Sequence, residues 1–316
     1  MPHEALHPPA RPPRRRLWLI RVLLALGGVG AMGCIAAAII FFVPGLMPRL
    51  LSLVDRDNEP VVPFRIAQNL YYVGASDVTS FLIVTPQGLI LIDGGYAQTA
   101  PQILGNIRAL GFDPRGVKIL LNTHAHVDHA GGLAILKAAT GAQLYASPRD
   151  AVELESGGRN DFAFGDLGAF QPVHVDHLLR DGEQIRLGQE VLTAHFTPGH
   201  TKGCTTWTFP VTVDRKEVQA LDLCSVTMPG YRLVGNQRYP EIAADFVATY
   251  RTLKSLRCDV FLGSHGFFFD LKHKHDRLLA GIKPNPFLDP RGCRLYIDRS
   301  EAAFRAELTR QQNPAP

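Results

Sequence analysis

Six residues have the types and spacing to do chemistry together. His124-Ala-His126-Val-Asp128-His129 packs three imidazoles and a carboxylate into six positions, and His200 and His265 stand further along the chain. A lone histidine is usually a packed or surface residue, but a cluster this dense is not explained that way. It follows directly on Val117-Lys-Ile-Leu-Leu121, an apolar run that reads as a buried strand. Side chains at i and i+2 of an extended segment share a face, so His124 and His126 can converge on one ion. The turn toward the next helix carries Asp128 and His129 to a second. Imidazole and carboxylate donors suit zinc, and the small residues among them let the loop stay tight.

His200 lies in Thr197-Pro-Gly-His-Thr201 and His265 in Gly263-Ser-His-Gly266. Both follow strand-like segments, in loops where glycine lets the backbone come close to a metal. The other histidines lack such settings. His273 and His275 sit with Lys272 and Lys274 on a helix expected to be exposed, His174 and His177 flank a strand, and His3 and His7 are N-terminal.

The elements that must position these residues alternate. Residues 81–84 and 89–92 read as short buried strands joined by Thr-Pro-Gln-Gly, 99–110 as a helix, 117–121 as a strand, 131–139 as a helix and 142–146 as a strand. The second half repeats the style, with strands at 190–196, 204–209 and 217–224, a helix over 241–256 and a strand at 259–262. Helical stretches near 273–282 and 300–311 follow, parted by the proline-rich 283–290 loop. Alternation of this kind indicates an α/β architecture, and two similar halves suit a sandwich of two sheets with helices outside.

The net charge of +4 is located before residue 22, where five arginines outweigh Glu4. The remainder is formally neutral and lacks the basic stripe that phosphate-backbone binding needs, so no nucleic-acid partner is expected. Residues 22–43 run without a charge, long enough to span a bilayer as a helix of about 20 residues. The division is therefore a basic cytoplasmic N-terminus over 1–21, a transmembrane anchor or signal segment over 22–43, a linker over 44–63 and a catalytic domain over 64–316. The arginines hold the N-terminus inside, so the domain is expected in the periplasm, tethered to the inner membrane or released by signal cleavage. Arg14-Arg15-Arg16 and the surroundings of Cys34 are weak processing signals of the rival kind. Export permits disulfides among Cys204, Cys224, Cys258 and Cys293, which allow three pairings. Cys258 with Cys293 is the favoured pair because it ties the last strand to the C-terminal region.

The histidine and aspartate pattern resembles the metallo-β-lactamase superfamily, whose members include lactonases, thioesterases, nucleases and phosphodiesterases; the ligands alone therefore choose no substrate. A longer likeness, over roughly residues 66–308, is to the third subclass of class B β-lactamases. It rests on Val73-Gly-Ala-Ser-Asp-Val-Thr-Ser80, Gly157-Gly-Arg-Asn-Asp-Phe162, Gly199-His-Thr-Lys-Gly-Cys-Thr-Thr206, Pro229-Gly-Tyr231, Cys258-Asp-Val-Phe-Leu262 and Asn285-Pro-Phe-Leu-Asp-Pro290. The resemblance implies a four-layer αβ/βα sandwich, preceded here by one N-terminal hydrophobic helix. It implies two Zn²⁺ ions, the first held by His124, His126 and His200 and the second by Asp128, His129 and His265. It also supports the Cys258 to Cys293 pairing.

One departure matters. The subclass usually has Asp-Ser ahead of Pro-Gly-Tyr, whereas this chain has Cys224-Ser225 and then Val226-Thr227-Met228-Pro229. Counting back from Pro229 puts Ser225 where the subclass carries a serine beside its metal ligands, and Thr227 in place of a serine that contacts substrate. Neighbouring side chains of an extended segment point oppositely, so either Ser225 or Cys224, the latter as a soft thiolate, faces the second zinc. The expected activity is opening of the β-lactam amide of penicillins, cephalosporins or carbapenems by a metal-bound hydroxide. Asp128 would orient the water, Ser225 and Thr227 would bind substrate, and the enzyme would be a monomer. The alternatives are a lactonase or other hydrolase on the same scaffold, and a noncatalytic zinc-dependent binding module.

Overall fold

Strands that alternate Leu and Ile on successive positions bury both faces of a sheet. In the computed structural model, which describes residues 58–159 and 161–314, this is how the first sheet is built. Its strands are β1 (Phe64–Arg65), β2 (Leu70–Tyr72), β3 (Phe81–Thr85), β4 (Gly88–Ile92), β5 (Val117–Leu121), β6 (Gln143–Ala146) and β7 (His177–Leu178), hydrogen-bonded in that order. β1 to β4 pair antiparallel, and β4 to β7 pair parallel. Leu89 and Leu91 face one side of β4 and Ile90 and Ile92 the other, as a two-residue period requires.

The Leu89 side is covered by α1 (Ala100–Ala109), α3 (Leu133–Thr140) and α4 (Pro148–Ser156), through Ile103, Ile107, Leu133, Leu136 and Leu154. Short α2 (Val127–Ala130) precedes α3. The Ile90 side packs on a second sheet of β8 (Gln184–Leu187), β9 (Glu190–Phe196), β10 (Thr205–Val213), β11 (Lys216–Leu223) and β12 (Val260–Gly263), in the order β12-β11-β10-β9-β8. Trp207 and Phe209 of β10 are fully buried between the sheets. α5 (Ile242–Ser255) and α7 (Pro290–Gln312) close the fourth layer, with Phe246 stacked on Tyr250 and Phe304 tilted against both, and α6 (Leu271–Leu279) lies between them in the chain. The fold is the α/β sandwich of two sheets with helices outside.

The basic segment 1–21, the apolar segment 22–43 and residues 44–57 lie outside the described residues. Among the described residues no helix is long and apolar enough to cross a membrane. Residues 58–63, read as the end of a linker, pack on the sandwich: Val78 N donates to Asn58 Oδ1 at 3.0 Å, Glu59 N to Ser76 Oγ at 2.9 Å, and Pro60 bridges Ala75.

Two other expectations change. The Lys272 to His275 stretch is not a uniformly exposed helix face. Lys274 is 5% exposed, pairs with Asp289 at 2.9 Å and lies over the rings of Phe261 and Phe269, while His275 stacks on Phe64 at 3.9 Å. The long lysine stem fills apolar space and the carboxylate answers its charge, so a basic residue takes an inward position. The last helix also begins ten residues before the expected 300, at Pro290, where Asp289 caps Gly292 N at 2.8 Å and proline occupies the first turn.

Candidate metal centre and active-site cleft

All six predicted residues sit at one edge of the sandwich, where β5, β9 and β12 end. Residues 122–126 leave β5 as a loop that bends at Thr123 and His126, and His126, itself extended, opens α2 with its carbonyl accepting from His129 N and Ala130 N at 3.0 and 2.8 Å. This early turn carries Asp128 and His129 away from the face that His124 and His126 share. Gly132 lets the next turn press on the β4 end: a Cβ there would lie 2.1 Å from the Gly94 carbonyl oxygen. His200 lies in the loop between β9 and β10, and His265 two residues past β12.

Nearly every imidazole has one nitrogen committed outward and the other turned inward. His200 Nδ1 donates to the Thr227 carbonyl at 2.8 Å, His265 Nδ1 to Asp77 Oδ2 at 2.9 Å and His129 Nδ1 to Asp93 Oδ2 at 3.2 Å. Thr123 Oγ1 donates to Asp93 Oδ2 at 2.6 Å and so accepts from His124 Nδ1 at 3.1 Å. Such partners fix the tautomer and aim the free nitrogen. His126 is turned the other way, with Nδ1 inward, 3.1 Å from His200 Nε2, and Nε2 3.8 Å from the Asp161 carboxylate.

The inward atoms form two groups. His124, His126 and His200 bring one ligand atom each within 4.8 Å of one another, and His124 Nε2 is buried without a hydrogen-bond partner among the described residues. His129 Nε2, His265 Nε2 and Asp128 Oδ2 form a triangle with sides of 3.2, 3.3 and 3.4 Å. Zinc-to-ligand bonds of about 2.0–2.1 Å in tetrahedral geometry set ligand atoms about 3.3 Å apart, so this triangle fits one ion. His124 also groups with Asp128 and His129, so the two sets are neighbours.

Electrostatics separates the two groups. Burial, then the charges of His129, His200 and His126, hold the His124 pKa well below its ordinary value; burial and His126 do the same to His200. Neutral imidazole is the form that binds metal. At His129 burial pulls downward, but Asp128 and Asp93 outweigh it and push the pKa up to about 10. Burial alone would lift Asp128, yet His129 and His265 hold it well below the ordinary carboxylate range. Asp128 and Asp93 thus make the second group a place that favours positive charge, which a metal ion would supply in place of the His129 proton.

Several carboxylates supporting this centre carry no local signal in the sequence. Asp93 accepts from Asn122 Nδ2, Thr123 N, Thr123 Oγ1 and His129 Nδ1. Asp150 joins the two loops of the first group, accepting from Ala125 N, Thr201 Oγ1 and Gly203 N at 2.8–3.0 Å, and burial lifts its pKa to about 6.

Cys224 is joined to Cys204, with Cα atoms 5.9 Å apart, and Cys258 to Cys293 at 6.6 Å. Cys224 therefore offers no free thiolate to the second group. Ser225 is 1% exposed, and its Oγ lies 3.2 Å from Thr227 Oγ1; Thr227 lines the cleft, and its Oγ1 lies 3.1 Å from His200 Nδ1. The cleft, of about 340 Å³, is floored by His126, Asp128, His200 and His265 and walled by Tyr96, Phe164, Leu167 and Pro229.

Comparison with known proteins gives consistent matches. Residues 73–213 match the family model described as the metallo-beta-lactamase superfamily. Among solved structures, the FEZ-1 metallo-beta-lactamase from Legionella gormanii is 46% identical, over 81% of this chain and 98% of that one, with a TM-score of 0.79. BJP-1, a subclass B3 metallo-beta-lactamase of Bradyrhizobium japonicum, is 38% identical over 82% and 98%, with a TM-score of 0.77. The chain spans about half the length of a probable metallo-hydrolase of Burkholderia pseudomallei, to which it is 29% identical over 50% of its own length. The N-acyl homoserine lactonase AttM of Agrobacterium fabrum is 27% identical over 57% of this chain and 76% of that protein.

Proposed function

Because the chain belongs to the metallo-β-lactamase superfamily, we propose that it is a zinc-dependent hydrolase that opens the β-lactam ring. The observation that carries this reading is the 46% identity to FEZ-1 over 98% of that enzyme, in a chain whose two ligand groups share one cleft. In this proposal His124, His126 and His200 hold one zinc, and Asp128, His129 and His265 a second. When bound, the pair supplies Lewis acidity that polarises a carbonyl and acidifies water.

The chain's own residues do the rest. Asp128 has one carboxylate oxygen directed at His129 and His265, and its side chain is 19% exposed to the cleft, so its other oxygen can orient a water and take its proton. Thr227 presents its hydroxyl to a substrate carboxylate, and Ser225 holds Thr227 from beneath. Phe164 and Leu167, with 37% and 80% of their surface exposed, give the cleft an apolar wall for a bicyclic ring and its substituents. The enzyme acts as a monomer in the periplasm, held by or cleaved from residues 22–43.

The likeness to AttM favours a second reading, hydrolysis of a lactone ester on the same centre. Turnover of a penicillin, a carbapenem and an acyl homoserine lactone by the purified full chain separates the two. β-Lactam opening that a zinc chelator abolishes and zinc restores is the expected result. Lactone turnover without β-lactam turnover, by a folded and zinc-loaded protein, would overturn the proposal in favour of the second reading.

A further inference from the structure

One wall of the first ligand group is sulfur. The Sγ atoms of Cys204 and Cys224 and a ring nitrogen of His124 all lie within 4.8 Å of one another, and all three residues are fully buried. The cysteines sit on the two segments that bracket the centre. Cys204 ends the loop that carries His200, and Cys224 follows β11, just before Ser225 and Thr227. Thr205 N donates to the Thr123 carbonyl at 2.8 Å and Cys224 N to Thr206 Oγ1 at 3.3 Å, which pins both segments against the residue preceding His124.

Bonds of about 2.3 Å to sulfur and 2.0–2.1 Å to imidazole put the donors of one tetrahedral ion about 3.3–3.8 Å apart. A His124 ring nitrogen lies within 4.8 Å of both sulfurs, and the sulfurs, bonded to each other in the disulfide, would have to part to reach that spacing. With the S–S bond intact the two sulfurs are bonded to each other and unavailable as thiolates. We propose that this disulfide locks a latent thiolate metal site, and that the reduced Cys204 and Cys224 bind a thiophilic divalent cation together with His124. The proposal concerns His124 and the two sulfurs and is independent of which ring the hydrolytic centre opens.

The electron count closes with a dithiol as reductant. Its two thiols become a cyclic disulfide, two electrons enter the Cys204 to Cys224 bond, and the two hydrogens end on the two Sγ atoms. Cation binding then forms two metal–sulfur bonds and releases those two protons to solvent. Thiolates hold such a cation more firmly than imidazole and carboxylate do, and His124 is shared. Reduction therefore draws His124 away from His126 and His200, and reoxidation returns it.

The test uses the full-length protein, stripped of metal and loaded with Co²⁺, before and after treatment with dithiothreitol. Cys204→Ser leaves the Cys224 thiol free without any reductant, and Cys204→Ser/Cys224→Ser gives the baseline for Cys34, Cys258 and Cys293. A near-ultraviolet sulfur-to-cobalt charge-transfer band is expected in the reduced protein and, at roughly half intensity, in Cys204→Ser. It should be absent from the oxidised protein and the double variant. The new thiols should also lose reactivity toward a thiol reagent while cobalt is bound. A reduced protein with native circular dichroism, the extra thiols freely reactive and no band above the double variant would overturn the proposal. If Cys204→Ser does not fold, the reduced and oxidised wild-type proteins decide by the same criterion.

Discussion

Asp93→Asn isolates the carboxylate beneath the histidine cluster from the backbone that carries it. Asp93 has φ 61°, a left-handed conformation that asparagine tolerates well, so the substitution changes charge and acceptor capacity without adding backbone strain. The amide carbonyl can keep the bonds from Asn122 Nδ2 and Thr123 N. Its NH₂ then replaces Oδ2, which faces two donors, Thr123 Oγ1 and His129 Nδ1. Hydrogen bonds to a charged group contribute about 1.5–3 kcal/mol each. Rotation of the Thr123 hydroxyl recovers part of the loss, and a net cost of about 3 kcal/mol follows. For a domain this size that lowers Tm by roughly 6–12 °C. His129 loses the acceptor that holds its proton on Nδ1, the proton moves to the inward Nε2, and zinc affinity falls about 10–100-fold, the usual cost of removing a partner of a ligating histidine. Thermal unfolding of the metal-free protein and zinc titration against a chromophoric chelator read the two effects separately. A metal-free Tm within about 2 °C of wild type, together with unchanged zinc affinity, would refute the reasoning.

Asp128→Ala removes the proton acceptor in the cleft and should lower turnover by at least about 100-fold; unchanged turnover at full zinc occupancy, measured by elemental analysis, rejects its role. Cys258→Ser/Cys293→Ser opens a loop of 35 residues, which should cost about 4 kcal/mol and roughly 8–16 °C in Tm by calorimetry, whereas a Tm equal to wild type refutes that contribution. For Asp150 the folded pKa of about 6 lies above the ordinary 3.8, so the folded state binds the extra proton and gains stability as pH falls between those values. The Tm difference between wild type and Asp150→Asn should therefore grow as pH drops from about 6 toward 4, and a flat difference contradicts the assignment.

The metal centre was legible in the sequence to the extent that its signal was local. His124 to His129 lie at a strand end and a helix start, where a two-residue and then a helical period fix which side chains share a face, and His200 and His265 are flagged by the same strand-then-glycine setting. The supporting carboxylates lay beyond reach because their partners are remote: Asp77 meets His265 across 188 positions, and Asp93 meets His129 across 36. The short strands β1, β2 and β7 hold two or three residues, too few to show a period. Helix α4 did have a readable start and stop in Ser147, Pro148 and Gly157, but its polar face hid the buried stripe of Ala151 and Leu154. Whether Cys224 or Ser225 turns toward the metals rested on a local strand argument, and the partner that occupies Cys224, Cys204, is twenty positions away.

The division between what holds metal and what meets substrate follows from this construction. The six candidate ligands sit at strand ends or in the loops just beyond them, and the outward nitrogens of the histidines are mostly tied to carboxylates and carbonyls around them. A change of substrate need not disturb most of those bonds, so that the fold alone chooses no substrate. The cleft walls are built differently. Phe164 and Leu167 stand on an irregular segment with a single short 3₁₀ turn at Asp166–Gly168, and Thr227 and Pro229 lie in the coil after β11. Their side chains are partly or largely exposed and can be exchanged at little cost to the core. Under the proposed function, exchanging the exposed wall residues Phe164, Leu167 and Pro229 between relatives should move ring preference while leaving zinc affinity within the wild-type range.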